Sequence, residues 1–409
     1  MIKKYAELLV KKGVNLVEGQ ELVVEASIEH VELVRAICEE AFKAGAKDVV
    51  VHYRDEVISK LKYENCDVEH FHNVPKYLSE FRNEYALKNA AIIMLTGDDP
   101  ENLKGIDAAK IQAWSKAYRT ACKPFYDRLD LGVNRWCIAG APTLAWANKV
   151  FPEQSNKEAI ESLWNTIFKT VYLNDKDPLK RWEKHRISFE ARVNALNTMK
   201  IKSLHLTNSL GTDLTIELNK DYLFAGGGSY TTDGVYSFPN MPTEEIFTSP
   251  YKYGVNGKVY SSLPLNYNGN IIDEFCLTFK DGRVIDYSAK KGEDLLGTMI
   301  ETDEGSHYLG EVALIPYDSP ISKLNLLFFN TLYDENASCH LAVGKGFGEC
   351  IKDGLSMDKE QLLEKGINNS LTHVDFMIGT KDLNIDAILE NGDKIAIFNE
   401  GNWAFSIDN

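Results

Sequence analysis

Residues able to hold a cation gather in the second half of this chain. Thr372-His373-Val374-Asp375 sets an imidazole and a carboxylate two positions apart. On a strand that spacing points both to one face, with Val374 turned to the other. They can then converge on one metal ion, although such a pair is equally at home on a solvated surface. Upstream, Tyr333-Asp334-Glu335-Asn336-Ala337-Ser338-Cys339-His340 runs into Leu341-Ala342-Val343-Gly344-Lys345-Gly346-Phe347-Gly348. Acid, small residues, His and glycine punctuation suit an irregular turn lining a cavity. The competing reading is a helix end with His340 in solvent.

Two further carboxylates come from apolar surroundings. Glu311 lies in Leu309-Gly310-Glu311-Val312-Ala313-Leu314-Ile315-Pro316. A strand so apolar would bury Glu311, which is costly unless the carboxylate is paired or bound to metal. Glu244 and Glu245 lie in Met241-Pro242-Thr243-Glu244-Glu245-Ile246-Phe247-Thr248. Thr followed by acids also fits a helix N-cap and its first turn. As a set, these His, Asp and Glu side chains offer mixed nitrogen and oxygen ligation, which suits zinc, cobalt or manganese. Carboxylates can bridge two ions about 3.5–4 Å apart, as in two-metal hydrolases.

Other hydrolytic schemes fit less well. No G-x-S-x-G is present. On a strand Cys339 would point away from His340. A glycosidase-type carboxylate pair would leave His340 and His373 unused.

The elements that must position these residues change character along the chain. Residues 2–13 form an amphipathic helix stopped at Gly13. Gln20–Ala26 reads as a strand, Ile28–Ala44 as a helix ending at Gly45, and Asp48–His52 as a second strand. That βαβ unit implies a parallel sheet. Asn89–Thr96 and Arg135–Ala139 read as further strands, and 105–126, 156–169 and 174–197 as helices. No G-x-G-x-x-G or P-loop accompanies the sheet, so a nucleotide lacks its phosphate cradle. Beyond Ile201, short alternating runs such as Asp213–Leu218, Ile272–Phe279 and Arg283–Tyr287 are broken by Gly, Asn and Asp. The fold class is therefore α/β plus α+β. An N-terminal α/β domain with a parallel sheet covers 1–110. A mainly antiparallel β domain with helices covers 111–409 and carries the metal site. The boundary falls between 100 and 200.

The chain has 409 residues, 45 basic against 60 acidic side chains and a formal charge of −15. So acidic a surface repels nucleic acid and anionic lipid. Apolar runs such as Ala90–Leu95 are far short of the roughly 18 residues of a membrane span. The N-terminus lacks the features of a signal peptide, so the expectation is a cytoplasmic protein. The seven cysteines form no CxxC pair, which speaks for reduced thiols and against a disulfide framework.

The same segments resemble the aminopeptidase S/aminopeptidase T family of thermophilic-type dinuclear metalloaminopeptidases. The likeness is carried by MPTEEIFTSP (241–250), LGEVALIP (309–316), DENASCHLAVGKGF (334–347) and THVDFMIG (372–379), with WCIAGAPTLAWANKVFP (136–152) and GIDAAKI (105–111). The resemblance implies two divalent ions per subunit, held by Glu245, Glu311, Glu335, His340, His373 and Asp375. Glu244 is the alternative to Glu245. Glu311 would be the shared carboxylate, and Glu311 or Glu245 the proton carrier. It also implies a homodimer and peptide substrates with a free N-terminus. Many relatives have Tyr at the position of Phe347, where a hydroxyl can stabilise a tetrahedral intermediate, with Lys345 a possible substitute. That departure keeps open a weak or inactive metal-binding homologue, beside another dinuclear hydrolase such as an amidase.

Overall fold

The computed structural model describes residues 1–267 and 269–407. They divide into two compact units. The first comprises Met1–Lys184, Gly228–Thr243 and Leu327–Leu332; the second comprises His185–Gly227, Glu244–Leu326 and Tyr333–Asn409. The expected boundary at 110 falls inside the helix Ala108–Ala121 of the first unit, and the first division comes after Lys184.

The first unit is built on the expected parallel sheet. Its strand order is Asn240–Met241, Trp136–Gly140, Ala91–Thr96, Glu21–Ser27 and Asp48–Arg54, and all neighbours are parallel. Residues Leu22 to Ser27 are all buried, as befits a strand covered on both faces by helices. The short strand Asn240–Met241 also joins this sheet, pairing in parallel with Trp136–Gly140. The helix expected over 105–126 is two helices, Ala108–Ala121 and Lys123–Asp130, divided at Cys122. All seven cysteines are free thiols. No helix among the described residues is long and apolar enough to cross a membrane.

The second unit holds two antiparallel sheets. The larger runs from Leu265–Tyr267 at one end to Asn402–Trp403 at the other and includes the strands Ile201–Thr207, Asp213–Leu218, Asn270–Lys280 and Arg283–Lys291. The smaller has the order His373–Met377, His340–Gly344, Leu309–Leu314, Ile246–Thr248 and Ala225–Gly226. One hydrophobic cluster joins them. Leu204, Ile216, Val255, Phe275 and Ile385 of the larger sheet meet Val312, Leu314, Leu341, Val343 and Phe376 of the smaller. Period-two alternation then turns the remaining side chains of the smaller sheet to its opposite face.

A bulge sets the phase of the central strand. Leu309 pairs with Val343 but Glu311 pairs with Ala342, so Gly310 is the extra residue. A β-bulge shifts the alternation by one position. Leu309 and Val312 therefore both join the core, while Glu311 is left on the opposite face. A Cβ at Gly310 would lie 2.2 Å from the Lys345 carbonyl oxygen. Gly310→Ala is accordingly expected to cost on the order of 1–3 kcal/mol through overpacking. It should also lower the metal content, because the Lys345 carbonyl that would have to shift holds the His373 ring. A thermal melt with metal analysis checks this; an unchanged midpoint and full metal content would contradict the role assigned to the bulge.

Candidate metal centre

The outward face of the smaller sheet collects the predicted ligands. Leu341, Val343 and Phe376 point into the core and Val374 packs against it, so His340, Ala342, His373 and Asp375 take the other side. Ile246 is likewise a core residue, which turns Glu245 and Phe247 to the site. Thr243 to Glu245 form no helix; they are extended chain leading into the strand Ile246–Thr248. His340 does not end a helix in solvent. Helical turns stop at Ala337, and His340 opens a strand with 1% of its surface exposed. The strand readings of Glu311 and of His373 with Asp375 match the structure.

Two groups of potential ligands form, and Glu311 belongs to both. One is Glu245, Glu311 and His340; the other is Glu311, His373 and Asp375. Nε2 of His340 lies 3.5 Å from Glu245 Oε2 and 3.7 Å from Glu311 Oε1. Nε2 of His373 lies 3.0 Å from Glu311 Oε2 and 3.2 Å from Asp375 Oδ1. The two oxygens of Glu311 thus serve different imidazoles. Register explains the convergence: Glu311 pairs with Ala342, and Ala342 pairs with Asp375. A methyl group between two carboxylates leaves space above it for an ion. Glu335 stands outside both groups, yet its carboxyl feels the charges of Glu245 and Asp375.

Backbone carbonyls fix the imidazoles. Nδ1 of His373 is 2.7 Å from the Lys345 carbonyl oxygen, and Nδ1 of His340 is 3.3 Å from that of Ser338. A neutral ring that donates through Nδ1 presents an unprotonated Nε2 to the carboxylates, which is the arrangement of a metal-ligating histidine. Lone pair then faces lone pair, and Asp375 Oδ1 is buried without accepting a hydrogen bond. A cation resolves both conflicts, so the donor set fits divalent metal.

Protons otherwise do that work. Burial and then the charge of Glu311 raise the Glu245 carboxyl to about 8. Burial and the charge of Glu245 push Glu335 well above the carboxylate range. Burial alone would raise Glu311, but hydrogen bonds from His340 and His373 hold it down at about 2. Burial would lower His340, yet the Glu311 hydrogen bond and the Glu245 charge raise it to about 10. His373 is raised well above its ordinary value, burial being outweighed by Asp375 and Glu311.

Some features escaped the sequence reading. Asn336 is fully buried; its Oδ1 accepts the Glu244 backbone N–H at 2.7 Å, and its Nδ2 lies 3.5 Å from Glu335 Oε1. It thereby links the Glu245 and Glu335 segments, and only its place beside Glu335 hinted at this. Glu244 itself lies apart from the cluster, with Oε1 3.9 Å from His185 Nε2. Cys339 points away as alternation requires: its thiol donates to the Ile315 carbonyl at 3.2 Å, and burial pushes it up to about 12.

Comparison with known proteins gives a concordant picture. The family model described as thermophilic metalloprotease (M29) matches residues 1–403. Aminopeptidase AmpS of Bacillus subtilis (strain 168) is 46% identical over 404 residues, 99% of this chain and 98% of that one. Aminopeptidase 2 of Geobacillus stearothermophilus is 42% identical over 406 residues, again 99% and 98%. Among solved structures, wild-type AmpT from Thermus thermophilus matches with a TM-score of 0.93 at 35% identity, covering 99% of both chains.

The raised imidazoles set the sign of the pH dependence. In the metal-free protein a protonated His340 stabilises the fold below its ordinary value of 6.5, and this is lost as pH rises through about 10. Metal must displace such protons, so binding should release protons at pH 7.5 and weaken as pH falls. The expected slope is about tenfold in affinity per pH unit for each proton displaced. Calorimetry of Zn²⁺ binding in buffers of different ionisation enthalpy measures it; zero proton release would contradict the assignment.

Proposed function

Because this chain belongs to the thermophilic metalloprotease (M29) family, we propose that it is a metal-dependent aminopeptidase releasing N-terminal residues from peptides. The observation that carries the reading is the cluster in which Glu311 joins Glu245 and His340 to His373 and Asp375. The aminopeptidase names of the relatives support it. We assign Glu245, Glu311, Glu335, His340, His373 and Asp375 as the ligands of two divalent ions, zinc, cobalt or manganese, with Glu311 shared between them.

When bound, such ions lower the pKa of a water towards neutrality and polarise the scissile carbonyl. The chain supplies position and proton traffic. Glu311 has an oxygen turned to each imidazole, so it would be committed to holding such ions and would be a poor base. Glu245 belongs to only one of the two groups. We therefore assign its carboxyl oxygen the transfer of a proton from water to the leaving amine. A free, neutral α-amine can act as a further donor at the site, and acetylation removes that capacity. We place the enzyme in the cytosol as a homodimer, the state its family resemblance carries.

Phe347 favours one second reading, a metal-binding homologue of weak turnover. Its ring lies against His373 with centroids 4.9 Å apart, yet it has no hydroxyl to donate to an intermediate. Phe347→Tyr should then raise kcat by on the order of tenfold or more, since single oxyanion donors are worth about 100-fold or greater elsewhere. Unchanged kcat would show that another donor already serves.

The direct test uses EDTA-stripped protein, Zn²⁺, Co²⁺ or Mn²⁺ added back, and a panel of free and N-acetylated peptides. Metal-restored cleavage of the free peptides alone is expected. In Glu311→Ala both metal retention and cleavage should be lost; full retention of both would overturn the assignment.

A further inference from the structure

The ligand-bearing face of the smaller sheet also carries an aromatic pair that metal binding does not use. Phe247 lies on that face between Glu245 and Ser249. Its cross-strand neighbour is Ala313, and Ala313 neighbours His340 in turn. The Phe247 ring meets Phe347 edge to face, with centroids 5.8 Å apart and planes at 73°. Phe347 reaches onward to the His373 ring at 4.9 Å. The backbone holds it there, because the Phe347 N–H donates to the Ser249 hydroxyl at 2.9 Å and Ser249 is fully buried. Both residues are half-buried. Beside them Ala313 and Ala342 are fully buried and small, so the face is low where the rings stand high.

We infer that Phe247 and Phe347 form the wall that receives the N-terminal side chain of the substrate and selects apolar residues there. The inference rests on the aminopeptidase reading. An exopeptidase must hold the α-amine and the first carbonyl at the ligand cluster, so the first side chain projects among the groups bordering it. A leucine or phenylalanine side chain loses water against the rings and stands to gain there. An aspartate or arginine would lose its hydration to carbon atoms that return no hydrogen bond. The side-chain preference is thereby set by groups that are not ligands, and it can be altered without removing any ligand.

The test is a selectivity profile of the metal-loaded enzyme on Leu-, Phe-, Ala-, Asp- and Arg-p-nitroanilides. The wild type should favour Leu or Phe over Ala, Asp and Arg by about tenfold or more in kcat/KM. Phe247→Ala and Phe347→Ala should each shrink the Leu/Ala ratio several-fold, chiefly through KM for the leucyl substrate. Phe347→Tyr keeps the ring and should keep the ratio. Because each variant is scored by a ratio of two substrates, a general loss of activity cancels. Phe347→Leu, which keeps bulk without the ring, serves if an alanine variant does not fold, and it should diminish the Phe/Leu preference. Ratios unchanged in the variants, or a wild type preferring Asp, would overturn the inference while leaving the aminopeptidase reading intact. Absence of any cleavage by the metal-loaded wild type would overturn both.

Discussion

Several carboxyl groups share one face of a small sheet, and their mutual repulsion is the condition the rest of the molecule must satisfy. Glu311 lies within reach of one ion together with Glu245 and of another together with Asp375, and Glu335 feels the same charges. Removing such groups from water is costly, and bringing them together compounds the cost. In the metal-free state protons and imidazoles offset it: Glu245 is raised to about 8, and His340 to about 10. Divalent ions meet the same demand with fixed charge, and they add the Lewis acidity that hydrolysis requires. Stability and chemistry thus draw on one arrangement.

The scaffold holds that arrangement by simple means. The hydrophobic cluster between the two sheets of the second unit fixes which face each strand turns outward. The Gly310 bulge brings Glu311 into phase with its neighbours, and the Lys345 and Ser338 carbonyls orient the imidazoles. Ala342, between Glu311 and Asp375 in register, leaves the space that a larger side chain would fill. None of these devices is itself charged, yet each determines where charge can accumulate.

Much of this was legible in the sequence where local rules govern. His-x-Asp two apart on a strand, Glu311 within an apolar run and the opening βαβ unit all follow from periodicity. The ligand set as a whole came from family resemblance, because spacing cannot choose between Glu244 and Glu245. Local rules failed where tertiary contacts decide. Thr243-Glu244-Glu245 has the composition of a helix start, but pairing of Ile246 with Leu314 draws the segment into a sheet. His340 resembles a solvated helix end only until its strand neighbours are known. The helix Glu56–Asn65 went unread although Val57, Ile58 and Leu61 recur at helical spacing, and these side chains stay exposed. Asn336 and Phe247 act through partners distant in sequence, and no spacing announces them.

The proposed centre is a pair of ions with Glu311 between them. Anomalous scattering at the zinc edge, from crystals of the zinc-loaded protein, tests it most directly. Two peaks about 3.5–4 Å apart are expected, one beside Glu245 and His340, the other beside His373 and Asp375, with Glu311 touching both. A single peak, or peaks that leave Glu311 without a metal neighbour, would contradict it.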